Sequence, residues 1–149
     1  MIVYFDTSAL IKLYYPEAES EALSEWIAEN DIAISFSPFH EMELCNAFGL
    51  KLFRNEISQD QFKKLLDCLA LDKGNGVLTG LHLDFSDVLI SAADLSRQHT
   101  GILGCRSLDI IHVAFAIVGN FEHFLSFDHR QNALAENSGL KMVSIEPAK

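Results

Sequence analysis

Met1-Ile2-Val3-Tyr4-Phe5-Asp6-Thr7-Ser8-Ala9-Leu10 opens the chain. Residues 2–5 are an unbroken apolar run of strand length that ends on a carboxylate with two hydroxyl residues behind it, and residues 8–14 read as a helix stopping ahead of Pro16. Far downstream, Phe124-Leu125-Ser126-Phe127-Asp128 repeats the pattern of a buried-strand run finishing on aspartate. Outward from these two stretches, strands are expected over 2–5, 32–36, 123–127 and 141–145, with an extended segment over 77–85. Helices are expected over 8–14, 17–30, 38–54, 59–73, 86–99, 107–118 and 130–137, opened in three cases by Ser58, Ser86 and Ser107. Strands alternating with helices imply an α/β fold with a parallel sheet covered on both faces. Such sheets bind ligands at the C-terminal ends of their strands, so Asp6 and Asp128 are placed to meet at one sheet edge.

At 149 residues the chain is expected to form one domain, 1–149, with enough apolar content for a core. Acidic residues number 21 against 11 basic ones, a net charge of -10, which argues against broad electrostatic capture of nucleic acid and confines any such role to local contacts. Cys45, Cys68 and Cys105 form no Cys-x-x-Cys pair and no even set, so neither a zinc site nor a disulfide framework is suggested, and a reducing cytoplasm fits. The N-terminus lacks a basic leader, its apolar run is broken by Asp6, and no stretch is long enough to span a membrane.

Acids accumulate at positions where helices and strands begin or end. Asp6 is followed by Thr7 and Ser8, whose hydroxyls can orient a carboxylate, hold a metal-bound water or cap the next helix. Asp109 lies in the first turn of its helix, where the dipole alone favours it, and His112 shares its face on a largely apolar helix that makes a core histidine the simpler reading. Arg106, just ahead, can pair with an acid or touch a phosphate. Glu41 and Glu43 open the long middle helix on different faces, and periodicity does not decide between them. Carboxylates gathered from separate elements offer the hard oxygen shell that magnesium or manganese prefers, and without a cation they repel one another.

These stretches together resemble the PIN-domain ribonucleases, and among them the VapC-type toxins of type II toxin–antitoxin systems. The resemblance is carried by Val3-Tyr4-Phe5-Asp6-Thr7-Ser8-Ala9-Leu10, by Ser37 with Glu43-Leu44-Cys45-Asn46-Ala47, by Arg106-Ser107-Leu108-Asp109-Ile110-Ile111-His112-Val113-Ala114, and by Phe124-Leu125-Ser126-Phe127-Asp128 with Gly139-Leu140-Lys141-Met142-Val143. It implies a three-layer α/β/α sandwich with a central parallel sheet, and an acidic quartet of Asp6, Glu43, Asp109 and Asp128 that is both catalytic and metal-binding, choosing Glu43 over Glu41. Ser126 stands where the family often has threonine, and Ser8 matches a hydroxyl position. Thr7, Ser8, Arg106, His112 and Ser126 are the expected supporting residues. The resemblance further implies an Mg2+ or Mn2+ cofactor, an RNA substrate, an antitoxin whose segment covers the active site, and a homodimer.

Two other readings compete. A phosphatase of the haloacid dehalogenase type also begins with an apolar strand ending in Asp, but wants a second acid where Ser8 stands. A PIN-like scaffold that binds partner proteins without catalysis needs no acidic quartet, and all four acids are here. The acidity of the chain leaves Lys12, Lys51, Arg54, Arg106 and Arg130 as candidate local RNA contacts and suits a basic partner segment, for which the Phe- and Leu-rich helices over 38–73 offer a groove and a dimer surface.

Overall fold

A computed structural model describes residues 1–147. The elements in chain order are β1 (Val3–Phe5), α1 (Thr7–Tyr14), α2 (Ser20–Glu29), β2 (Ile34–Phe36), α3 (Pro38–Phe53), α4 (Gln59–Gly74), β3 (Leu78–Gly80), α5 (Phe85–Leu95), a π-helical turn (Ser96–Thr100), α6 (Gly101–Leu103), α7 (Ser107–Val118), β4 (His123–Leu125), α8 (His129–Asn137) and β5 (Lys141–Met142). They fall into two compact units, Met1–Ser8 with His82–Ser144, and Ala9–Leu81 with residues 145–147.

The first unit is built on a parallel sheet of strand order β1-β4-β5. Val3 pairs with His123, Phe5 with Leu125, and Phe124 with Met142. Its centre is aromatic: the Tyr4 and Phe124 rings stack at 5.5 Å between centroids, and Phe121 meets Tyr4 edge-on at 5.4 Å. Helix α7 is buried over most of its circumference, with Val113, Ala114 and Ala116 inaccessible to solvent, as its nearly unbroken apolar sequence demands. The helix ends at Gly119, where a Cβ would lie 2.6 Å from the Phe121 ring and 2.9 Å from the Phe115 carbonyl oxygen. Gly119→Ala is therefore expected to destabilise the fold by about 1–3 kcal/mol, read as a lower urea midpoint with an unchanged slope.

In the second unit β2 pairs in parallel with β3, Ile34 opposite Leu78, and the Leu81 N–H extends the pairing to the Phe36 carbonyl. Ser37 caps α3 reciprocally with His40: the Ser37 N–H donates to His40 Nδ1 at 3.0 Å and the His40 N–H to Ser37 Oγ at 3.3 Å. Ser58 and Gln61 repeat this box at α4. Tyr14 donates its hydroxyl to Asp72 at 2.8 Å, and burial, aided by that carboxylate, pushes the phenol well above its ordinary range. An apolar cleft of about 220 Å³ lies between Tyr14, Tyr15, Pro16 and the α4 residues Lys64, Leu65 and Cys68.

Several expected boundaries move for local reasons. Ser58 opens α4 as expected. The extended segment over 77–85 shortens to β3, because Asp84 accepts the Ser86 N–H at 2.8 Å and starts α5 at Phe85. Helix 86–99 does not run through; it gives way to the π-helical turn at Ser96 and closes at Gly104, whose φ of 66° suits a glycine. At the start of α2 the Glu17 N–H donates to Ser20 Oγ, forming a turn that delays the helix to Ser20. Ser107 is the first residue of α7 rather than its cap; Arg106 occupies the cap position without a side-chain cap bond.

Candidate metal centre

Parallel pairing of β1 and β4 brings both strand ends to the same edge, and the Asp6 N–H still belongs to that pairing, donating to the Leu125 carbonyl at 3.1 Å. Asp6 is 1% exposed, and a carboxylate buried to that degree must be met by hydrogen bonds. Two serines meet it. Ser8 Oγ lies 2.7 and 2.9 Å from the two Asp6 oxygens, and Ser126 Oγ donates to Asp6 Oδ2 at 2.6 Å. Each hydroxyl also accepts a backbone N–H from the segment after β4, Phe127 to Ser8 at 2.8 Å and Asp128 to Ser126 at 3.0 Å. The serines thus lock the two strand ends together through the carboxylate they orient.

Asp128 is the N-cap of α8. Its Oδ1 accepts the N–H groups of Arg130 at 2.9 Å and Gln131 at 3.1 Å, which fixes the carboxylate to the helix start. Asp109, in the first turn of α7, accepts the Gln131 side-chain amide on Oδ1 at 3.0 Å. The remaining oxygen of each aspartate turns to one guanidinium: Arg106 Nε donates to Asp109 Oδ2 at 2.8 Å and Arg106 Nη2 to Asp128 Oδ2 at 3.1 Å. Asp6, Asp109 and Asp128, from three separate elements, consequently belong to one continuous hydrogen-bonded assembly.

His112 is buried one turn along α7 from Asp109. Its Nδ1 is bonded to the Tyr4 hydroxyl at 2.8 Å and its Nε2 to Thr7 Oγ1 at 3.1 Å. The ring therefore joins α7 to the residues on either side of the Asp6 strand end. The Thr7 hydroxyl is bonded to the histidine, and Ser8 is the hydroxyl that orients Asp6. Cys105 borders the assembly; burial, and after it the Asp109 charge, push its thiol up.

Glu43 lies on α3 in the second unit, half-buried, one turn past the His40 cap. The neighbouring Glu41 is drawn into an ion pair with Lys73 of α4 at 2.7 Å. Among the proposed RNA contacts, Lys12 bridges Glu17 and Glu19, and Lys51 lies over the Tyr15 ring at 3.9 Å and pairs with Glu56, so both are engaged within the chain.

Gln131 was not among the residues expected from sequence. It is 3% exposed and touches both Asp109 and Asp128. A glutamine three residues after an N-cap aspartate is a capping-box spacing, which signals closeness to Asp128 but not the second bond to Asp109. Its Oε1 is buried and meets no donor among the described residues.

Among the described residues, no three His, Cys, Asp or Glu side chains are arranged around a common point as a metal ion would require. In their chemistry the groups nonetheless fit a hard divalent cation: carboxylates oriented by hydroxyl and amide donors, two carboxylate oxygens already facing one positive group, and an unmatched amide oxygen beside them.

Residues 3–137 match the PIN domain family. The chain belongs to the PIN domain family. No curated protein matches it in sequence. Solved structures with the same fold include FitAcB from Neisseria gonorrhoeae, 16% identical with a TM-score of 0.66 over 96% of this chain and 97% of that one. VapBC2 from Rickettsia felis, bound to a DNA fragment from their promoter, is 15% identical with a TM-score of 0.66 over 98% of this chain and 100% of that one. VapBC-1 from nontypeable Haemophilus influenzae is 13% identical with a TM-score of 0.68, covering 97% and 98%. At these identities the likeness is one of fold. The PIN domain described here thus has the α/β/α sandwich fold with parallel strands that its sequence implied. No helix among its described residues is long and apolar enough to cross a membrane.

Proposed function

We propose that this PIN domain is a divalent-metal-dependent endoribonuclease and the toxin of a toxin–antitoxin pair, acting as a single domain over 1–149. The observation that carries the reading is the joining of Asp6, Asp109 and Asp128 through Ser8, Ser126, Gln131 and Arg106 at the C-terminal edge of a parallel sheet. Glu43 completes the quartet by its place in the family motif. The VapBC and FitAcB names of the structural neighbours favour a toxin with an antitoxin partner over a silent scaffold. Such a partner would bring positive charge to an acidic protein, and an apolar segment of it would find a surface in the cleft between Tyr14 and α4. A homodimer and a cytoplasmic location go with this reading.

In the mechanism, Asp6, Asp109 and Asp128, with Glu43 by its place in the family motif, would hold Mg2+ or Mn2+, which would supply Lewis acidity toward the phosphodiester and activate a water. Ser8 and Ser126 keep both Asp6 oxygens at fixed orientation, so the carboxylate presents the same geometry on each turnover. Gln131 and the α8 N-terminus do the same for the Oδ1 atoms of Asp109 and Asp128. His112 holds Tyr4 and Thr7, on either side of the Phe5–Asp6 pair, and is a positioning residue.

The test uses purified protein and RNA in Mg2+ or Mn2+. Cleavage should stop on addition of chelator and in Glu43→Gln, while Glu41→Gln, which loses only an exposed ion pair worth about 0.2–1 kcal/mol, should keep most of it. If the two glutamate variants behave in the opposite way, Glu43 has been assigned to the quartet wrongly; absence of cleavage across structured and unstructured RNAs would favour the scaffold.

A further inference from the structure

We propose that Arg106 is a built-in counter-cation of the acidic centre, holding Asp109 and Asp128 together in the metal-free protein and leaving them when a divalent ion binds. The inference rests on the metal-dependent reading above and deepens it. The four oxygens of these two aspartates fall into two sets. Both Oδ1 atoms are held by groups that cannot move without unfolding something: the backbone N–H groups at the start of α8, and the Gln131 amide, which is 3% exposed. Both Oδ2 atoms face the same guanidinium, at 2.8 and 3.1 Å, on a side chain that is 62% exposed.

An exposed arginine is the exchangeable member of such a set. Each of its ion pairs is partly screened by solvent and balanced by the entropy of holding a long side chain. A magnesium-sized ion would need the same Oδ2 lone pairs at about 2.0–2.1 Å, and like charge forbids it and the guanidinium from sharing them. With 62% of that side chain open to solvent, the guanidinium has room to swing away from the two carboxylates. The guanidinium thus prevents the two aspartates from repelling each other while no ion is bound, and it competes with the ion for the same atoms. Removing it should strengthen metal binding, although arginine at a site for phosphate chemistry would ordinarily be expected to help.

Calorimetric titration of MnCl2 into metal-free protein at pH 7.5 tests this, with no substrate present. Arg106→Gln should bind Mn2+ roughly three- to tenfold more tightly than wild type, inside the span of about two- to thirtyfold that two ion pairs to an exposed guanidinium allow. Arg130→Gln removes the same charge two residues from Asp128, on an exposed position of α8, and should stay within about twofold of wild type. Arg106→Lys keeps the charge without the two-pronged geometry and should fall between wild type and Arg106→Gln. Equal or weaker binding by Arg106→Gln while wild type binds, or equal tightening in Arg130→Gln, would overturn the proposal and leave the metal centre standing. If neither wild type nor Arg106→Gln takes up Mn2+ any better than Asp109→Asn, the metal-dependent reading fails, and the counter-cation role with it.

Discussion

In manganese the wild-type protein should melt several degrees higher than in chelator, and Asp6→Asn/Asp109→Asn should lose nearly all of that gain. An ion that binds only the folded site stabilises by mass action, roughly 2.7 kcal/mol at a hundredfold excess over its dissociation constant. For a chain of this length that corresponds to about 5–11 °C in Tm. The double variant removes two of the carboxylates that the proposal assigns to the ion. Crowded acids considered alone would make that variant the more stable protein without metal, since two repelling charges are gone. The bonding pattern reverses the sign. Asp109 forms an ion pair with Arg106, and Asp6 accepts hydroxyl protons from Ser8 and Ser126. Loss of an ion pair with one exposed partner costs on the order of 1 kcal/mol, and an amide at position 6 would turn a donor toward hydroxyls that now donate. Metal-free double variant is therefore expected to melt at or below metal-free wild type. Equal manganese shifts in both proteins, followed by differential scanning calorimetry at pH 7.5, would place the ion elsewhere on the molecule.

The alternation of short apolar runs with helical periodicity was enough to place every strand and most helices, because burial in a parallel sheet leaves an apolar signature in Val3–Phe5 and in Phe124 and Leu125. The start of α4 was legible from its Ser58 cap and that of α3 from Pro38, whereas the cap of α5 proved to be Asp84, two residues ahead of Ser86, and the π-helical turn at Ser96 had no signal. The meeting of Asp6 with the segment before Asp128 followed from two strand ends at one edge. Helical spacing correctly put Asp109 and His112 on one helix, but it had no means of showing that the imidazole would be taken up by Tyr4 and Thr7, over a hundred residues away in sequence. Gln131 and the double engagement of Arg106 escaped for the same reason: both depend on the approach of α7 to α8, and neither residue type carries a local signal for it. Glu43 remains a choice made on the family motif.

The central claim is that these carboxylates hold the ion used to cut RNA, and the most direct measurement is cleavage by Asp109→Asn beside wild type in the same manganese buffer, with folding of both verified by circular dichroism. Metal catalysis contributes several kcal/mol of transition-state stabilisation, and each 1.36 kcal/mol is tenfold in rate, so loss of a ligand should lower the rate on the order of 10³-fold. Asparagine keeps an oxygen for the Gln131 amide and preserves the shape of the side chain, so a loss of this size would not be one of folding. Wild type should cleave RNA, chelator should stop it, and Asp109→Asn should retain less than about a hundredth of the rate. Cleavage by Asp109→Asn at the wild-type rate would contradict it.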